Sequence, residues 1–194
     1  MKKILTPEQC KRLLTVVSMR ASKKSMDYAL ITALLLSGSQ ARTWTWDSAM
    51  RDFLDLPVTV YEALRDLAKA KQMTIFPFNH VGFVQAHWIS GNRYQQAIFA
   101  ACDRKTALTT QEVTRRMKRY AKLAGLNAGE INLRTLVNTH HALMTQFGNA
   151  DTAAEEIGLS VSAIAKPFKS TKATGRPDAR LHGIGRRYLS MKTA

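Results

Sequence analysis

The feature that most constrains the fold is a nearly unbroken apolar run at residues 26–37, which reads Met-Asp-Tyr-Ala-Leu-Ile-Thr-Ala-Leu-Leu-Leu-Ser. Gly38 follows the run, and glycine commonly ends a helix. A helix that is apolar on every side must be surrounded by other elements. The sequence therefore predicts a central buried helix. The run is too short to cross a membrane, since a spanning helix needs about 20 apolar residues.

The N-terminal segment carries the pattern of a helix start. Thr6 can cap the helix and Pro7 suits its first turn. Gln9, three residues after Thr6, completes a capping box. Apolar residues then recur at helical spacing. They predict an amphipathic helix whose buried face consists of Cys10, Leu13, Leu14 and Val17.

Two later capping boxes predict two further helix starts. Thr59-Val60-Tyr61-Glu62 predicts a helix that runs to about residue 71. Thr109-Thr110-Gln111-Glu112 predicts another that continues to about residue 124, where Gly125 ends it.

Other segments complete a fold class that is mainly α. Residues 93–102 and 133–146 are expected to be helical, and residues 74–78 resemble a short strand or extended connector. We therefore expect a helical fold with at most a small β element near residues 51–78.

The chain is strongly basic, with 29 Lys and Arg residues against 14 Asp and Glu residues and a formal net charge of +15. Charge of this size indicates a polyanionic partner, most often nucleic acid. The excess is larger after residue 100, so we expect the partner surface there. The alternative is that the charge only aids solubility.

The predicted helix at residues 109–124 separates apolar from basic positions. Its expected apolar face consists of Val113, Met117, Tyr120, Ala121 and Ala124. The opposite face gathers Gln111, Arg115, Lys118, Arg119 and Lys122, with Arg116 on the flank. No acidic residue follows Glu112 in this helix. Such a face suits phosphates or a DNA groove, and the alternative is an ordinary solvated surface.

Residue spacing indicates neither a metal site nor a cofactor. His80 and His87 do not have metal-ligand spacing with each other, with cysteine or with carboxylates. Cys10 and Cys102 are expected to be buried thiols rather than a disulfide. Charged residues interrupt the N-terminal segment, so we expect no secretion signal, no membrane partner and a cytoplasmic protein.

Several short motifs occur in order in the second half of the chain. Ile131-Asn132-Leu133-Arg134 is followed by Thr139-His140, then by Gly158-Leu159, and Phe168 lies ten residues after that glycine. This order resembles the C-terminal half of the catalytic domain of the tyrosine recombinases, the phage integrase family.

Two N-terminal phrases extend the resemblance to about residues 6–168. Leu5-Thr6-Pro7-Glu8 and Trp44-Thr45-Trp46-Asp47 are similar to phrases of that family. The resemblance implies a tyrosine-recombinase catalytic-domain-like helical fold. It also implies a DNA-binding domain over residues 1–168 and a basic C-terminal tail over residues 169–194.

The positions that carry the family's chemistry are replaced in this chain. Ile131 and Leu159 stand where the family has basic or histidine side chains, and Gln40 stands at its first arginine. Phe168 stands at the tyrosine nucleophile. Phenylalanine has no oxygen that could attack a phosphate, so the covalent intermediate cannot form. The resemblance therefore implies a pseudo-recombinase that is not an enzyme and has no catalytic residues.

The resemblance also implies which residues contact DNA. The family's equivalent of the helix at residues 109–124 enters the major groove, which implies that Gln111 touches a base edge. Arg134, at the position of a family arginine, is expected to hold a phosphate. Arg42 is expected to be either a displaced phosphate ligand or a solvated charge. Further DNA contacts are expected from Lys166, Lys169, Lys172, Arg176, Arg186 and Arg187.

The expected partner is double-stranded DNA, and the expected role is that of a transcriptional regulator or recombination accessory factor of a mobile element. One alternative is an active minimal recombinase whose nucleophile is Tyr188 or a partner's tyrosine. Another is a protein-interaction module that pairs with itself or with a true recombinase through its tail. Residues 151–168 also have the spacing of a helix-turn-helix, with Ala154, Gly158 and Ile164 at its key positions.

We predict that the natural protein forms no covalent adduct with a nicked suicide DNA substrate. Phe168→Tyr alone should not restore cleavage, because Gln40, Ile131 and Leu159 still lack the groups that stabilise the transition state. Loss of one such donor costs on the order of 10²–10³ in rate. Denaturing electrophoresis of the DNA would measure the adduct. Efficient nicking by the natural protein would contradict the prediction.

Overall fold

The computed structural model describes residues 3–51, 56–71, 96–100 and 106–159. Within these ranges the chain is mainly α-helical, as predicted, and has isolated β-bridges but no strand. The helices are α1 (Pro7–Ala21), α2 (Met26–Ser37), α3 (Trp46–Arg51), α4 (Val58–Ala70), α5 (Thr110–Leu123), α6 (Leu133–Phe147) and α7 (Ala150–Glu156). A short 3-10 helix, Ser39–Thr43, follows α2.

Helix α2 lies at the centre of the core, which confirms the prediction from its apolar run. All of its residues from Tyr28 to Leu36 are buried. It packs against α1, α4, α6 and α7. The Ser25 side chain caps its N-terminus by accepting a hydrogen bond from the Tyr28 backbone N–H. The surrounding helices therefore owe their arrangement to one shared apolar partner.

Helix α1 begins at the predicted capping box. The Thr6 hydroxyl accepts a hydrogen bond from the Gln9 N–H, and the Gln9 side chain accepts one from the Thr6 N–H. The predicted face of Cys10, Leu13, Leu14 and Val17 is buried. Burial raises the pKa of the Cys10 thiol to about 12, so the thiol stays protonated at neutral pH. Cys102 lies outside the described residues.

Gly38 marks the closest approach of the end of α2 to α6. Its backbone angles, φ +81° and ψ −165°, belong to a region that is essentially restricted to glycine. A Cβ atom at this position would lie 3.1 Å from Cδ2 of His140. His140 also places its Nδ1 atom 3.1 Å from the Leu35 carbonyl oxygen. His140 therefore takes part in the packing of two helices, and burial lowers its pKa.

The capping box predicted at Thr59 is wrong. Helix α4 begins at Val58, and Thr59 is buried inside its first turn with no hydrogen-bond partner for its hydroxyl. The Val58 N–H instead donates to the Asp151 carboxylate of α7, at 3.4 Å. A carboxylate distant in sequence thus serves the helix start that the local motif was expected to serve.

The helix predicted at residues 93–102 is wrong over residues 96–100, which form bends and isolated β-bridges. Ala97 forms a β-bridge with Thr45, and Ala100 forms one with Ala107. Ile98 and Phe99 are both fully buried. Hydrogen bonds to distant backbone groups outweigh local helical preference here, including that from the Leu108 N–H to the Phe99 carbonyl at 2.8 Å.

Lys71 joins residues 96–100 to the end of α4. Its ammonium donates to the Ile98 carbonyl oxygen at 3.2 Å and lies 5.7 Å from the centre of the Trp46 ring. Trp46 is itself buried in the core. The β element expected near residues 51–78 is absent from its described part, residues 56–71, and the segment at residues 74–78 lies outside the description.

Only the first part of the proposed helix-turn-helix falls on described residues. Ala154 is buried in α7, and Gly158 has a φ of +80°, as expected of a turn glycine. A Cβ at Gly158 would lie 2.9 Å from Cγ of Lys11. Ile164, the expected second helix and the domain boundary at residue 168 lie outside the described residues.

We predict that Gly38→Ala lowers the free energy of unfolding more than Gly148→Ala does. Both glycines have positive φ, but a Cβ at Gly148 would meet nothing within 4 Å. The backbone of Gly38 alone should cost about 1–3 kcal/mol, and the contact with His140 adds to it. Gly148→Ala should cost about 1–2 kcal/mol. Urea denaturation at neutral pH would measure both losses, and equal losses would contradict a close approach at Gly38.

Candidate nucleic-acid interface

Helix α5 begins at the predicted capping box and uses its only acidic residue there. The Thr109 N–H donates to the Glu112 carboxylate at 2.8 Å, and the Glu112 N–H donates to the Thr109 hydroxyl at 3.2 Å. The hydrogen bonds from Thr109 lower the pKa of Glu112. The carboxylate is therefore ionised and held at the helix start, away from the later turns.

The two faces of α5 differ as the sequence predicts. Val113, Met117, Tyr120 and Ala121 are buried, and Ala124 continues that face after the helix. Gln111, Arg115, Lys118, Arg119 and Lys122 are exposed. None of the four cations forms an ion pair within 4.0 Å with another described residue. Helix α5 thus presents four cations without ion pairs on one face, and among them Arg115 lies near enough to Glu112 for the two charges to interact. This face of Gln111, Arg115, Lys118, Arg119 and Lys122 is called the basic face below.

Arg116, expected on the flank of this face, is engaged by the core. Its Nη1 atom donates to Oδ1 of Asp27 at 2.7 Å, and the Tyr120 hydroxyl donates to Oδ2 of the same carboxylate at 2.6 Å. Asp27 lies in the first turn of α2. This pair of charge-assisted hydrogen bonds fixes the middle of α5 against the central helix. Asp27 was not predicted from the sequence, because it is 89 residues away from Arg116.

Arg42 holds the start of α5. It is half-buried, and its Nη1 atom donates to the carbonyl oxygen of Leu108, the residue before the cap Thr109. Its described contact is therefore structural rather than that of a solvated charge. Arg42 thus contacts Leu108, which precedes Gln111 by three residues. Gln111 is the exposed first-turn residue of the basic face.

Ile131, Leu159 and Gln40 stand at the positions that the resemblance pairs with recombinase catalytic groups. Ile131 and Leu159 are buried in the hydrophobic core, 3% and 7% exposed. Gln40 is exposed in the 3-10 helix, and its carbonyl accepts a hydrogen bond from the Thr43 hydroxyl. Aliphatic side chains can neither donate hydrogen bonds to a phosphate nor transfer protons.

Arg134, which is expected to hold a phosphate, is accessible. It lies in the first turn of α6, after the cap Asn132, whose side chain accepts a hydrogen bond from the Thr135 N–H. Its side chain is exposed and has no hydrogen bond to another described residue. The guanidinium is therefore free to meet a phosphate.

Several predicted site residues lie outside the described part of the chain. They are Lys166, Phe168, Lys169, Lys172, Arg176, Arg186 and Arg187, together with the alternative nucleophile Tyr188.

A cleft between α1, α4 and the turn after α7 differs in charge from the basic face. Lys11, Lys23 and Arg65 line it together with Glu62 and Asp66. Because two carboxylates accompany the three cations, the cleft attracts a polyanion less than a purely basic surface does. In the ranges that the structure describes, no cluster of three or more His, Cys, Asp or Glu residues could hold a metal ion. No helix of these ranges combines the length and apolar character of a membrane span.

In comparisons with protein-family models, curated proteins and solved structures, nothing matches this chain.

We predict that Tyr120→Phe flattens the alkaline loss of stability. Burial, the hydrogen bond to Asp27 and the negative charge of Asp27 raise the pKa of Tyr120 from its ordinary 10.0 to about 12. Its contribution is therefore complete below pH 10 and is lost as the pH rises through about 12. Urea denaturation between pH 9 and pH 12 would measure the difference between the two proteins.

The other titrating groups, including Tyr28 and Tyr61, are common to both proteins in this comparison and cancel. Parallel stability curves would contradict a folded-state bond between Tyr120 and Asp27.

Proposed function

We propose that this protein binds double-stranded DNA through the basic face of α5 and does not cleave it. The observation that carries the proposal is the charge of that face. Arg115, Lys118, Arg119 and Lys122 are exposed, and none is paired with a described acid. Cations left free in this way release counterions from DNA on binding, which is the main source of sequence-independent affinity.

The dimensions of α5 support insertion into the major groove. The helix has 14 residues and is therefore roughly 21 Å long. A major groove about 12 Å wide admits an α-helix. Gln111 projects from the first turn, and a glutamine can pair with both N6 and N7 of adenine. We propose that Gln111 reads a base while the four cations contact phosphates.

The second part of the proposal, absence of cleavage, is supported by the replaced positions. Ile131 and Leu159 belong to the core, and Gln40 carries no charge. Arg134 is a phosphate ligand of the type that the family uses. One such ligand favours binding of a phosphate over its reaction. The proposed role is that of a DNA-binding pseudo-recombinase, a transcriptional regulator or recombination accessory factor of a mobile element.

We predict that Gln111→Ala and Lys118→Ala change DNA binding in different ways. Loss of Gln111 should relax the preference at one base pair, worth about 1–3 kcal/mol, and leave the salt dependence unchanged. Loss of Lys118 should weaken all sequences alike and reduce the slope of log K against log[salt] by about 0.9. Selection from a random DNA pool would measure the first effect, and salt titration the second. Lys122→Ala provides a second case of the phosphate type.

An unchanged base preference in Gln111→Ala would remove that residue from the base-reading role. Absence of any DNA complex, or a salt-insensitive one, would contradict the proposed function. Capture of a true recombinase by the natural protein without DNA would then favour the protein-interaction alternative.

A further inference from the structure

The basic face of α5 has a second basic segment beside it, the turn between α1 and α2. Asp27 joins the two, because its carboxylate holds Arg116 and Tyr120 at 2.7 Å and 2.6 Å. Lys24 precedes Asp27 by three residues, so their Cα atoms are at most about 11 Å apart. Arg119 follows Arg116 by three residues on the adjacent, exposed side of α5. Asp27 therefore forms a junction between the turn and the middle of α5.

Basic residues lie in the sequence segments on both sides of this junction. Residues 9–26 contain five Lys and Arg residues and no Asp or Glu. Residues 113–129 also contain no Asp or Glu. Asp27 is the one acid at the junction, and Arg116 pairs with it. The surface that a polyanion would meet there is therefore positive on both sides of the junction.

Among the basic residues of α1 and the turn, Lys11 and Lys23 belong to a different surface. Both line the cleft that also holds Glu62 and Asp66 of α4. The alkyl chain of Lys11 also covers Gly158. The neighbouring carboxylates reduce the attraction of these two cations for a phosphate.

Arg20 and Lys24 do not line this cleft. Arg20 lies nine residues after Lys11, which is two and a half helical turns, so it projects from the opposite side of α1. Helix α1 also contacts α5. Both side chains belong to exposed residues, and neither forms an ion pair with a described residue.

The backbone of the turn is held in a defined conformation. Ser22 has φ +73° and ψ +149°, a region that L residues rarely adopt. Its hydroxyl accepts a hydrogen bond from the Lys24 N–H at 3.2 Å, and its carbonyl accepts one from the Ser25 N–H at 3.1 Å. Ser25 then caps α2. The backbone of Lys24 is thus held in place beside α2. The contacts of Asp27 in turn hold α2 against α5.

We infer that Arg20 and Lys24 form a second phosphate-binding segment, which contacts the DNA backbone beside the groove entered by α5. This inference rests on the proposed function and extends its binding surface to the N-terminal helices. The ligand is the phosphodiester backbone of duplex DNA, contacted without regard to sequence.

The test compares two double variants that remove the same charge and keep the length of the side chains. Arg20→Gln/Lys24→Gln removes the proposed contacts, and Lys11→Gln/Lys23→Gln is the matched control in the cleft. The binding of each to a short duplex of mixed sequence is measured as a function of salt, after thermal unfolding has verified that both are folded. Lys118→Ala is measured in parallel.

For Arg20→Gln/Lys24→Gln, we expect the slope of log K against log[salt] to fall by about 1.8, two contacts at about 0.9 each. The control pair should keep the slope of the natural protein. Equal effects of the two pairs would overturn the inference, since net charge alone would then explain both. An unchanged slope in Arg20→Gln/Lys24→Gln, with a reduced slope in Lys118→Ala, would also overturn it and leave the proposed function standing. Absence of DNA binding by the natural protein would overturn both.

Discussion

The burial of α2 is the constraint on which the rest of the structure depends, since a helix without a polar face is stable in water only when other elements cover it. Its large aliphatic residues, among them Leu30, Ile31 and Leu34, are fully buried. Each such side chain contributes roughly 1.5–3 kcal/mol relative to exposure. Helices α1, α4, α6 and α7 supply the cover, and each turns its own apolar stripe towards α2.

Two polar contacts connect this core to the basic face of α5. Asp27, in the first turn of α2, holds the middle of α5 through Arg116 and Tyr120. Arg42, in the 3-10 helix after α2, holds the residue before its cap. These hydrogen bonds therefore hold α5 against α2 and the 3-10 helix that follows it. Side chains presented by such a fixed helix lose less conformational freedom on binding a ligand, which favours recognition of a rigid duplex.

The composition of the hydrophobic core is also relevant to the proposed absence of catalysis. A site that handles a reacting phosphate needs hydrogen-bond donors held close together. At Ile131 and Leu159 the chain has aliphatic side chains, and they extend the hydrophobic core instead. Arg134 remains exposed on the first turn of α6. The burial of Ile131 and Leu159 and the exposure of Arg134 are the arrangement that the proposed function requires.

The sequence by itself determined the helices whose signals are local. The apolar run of α2, the capping boxes at Thr6 and Thr109 and the two faces of α5 all depend on residues within a few turns of one another. The tertiary structure alone decided where distant groups replace local ones. Asp151 accepts a hydrogen bond from the first backbone N–H of α4. Residues 96–100 form β-bridges instead of a helix. Asp27 binds Arg116, which is therefore only partly exposed. Periodicity and capping propensities describe interactions over three or four residues, whereas these contacts join residues separated by tens of positions, and only the packed fold brings them together.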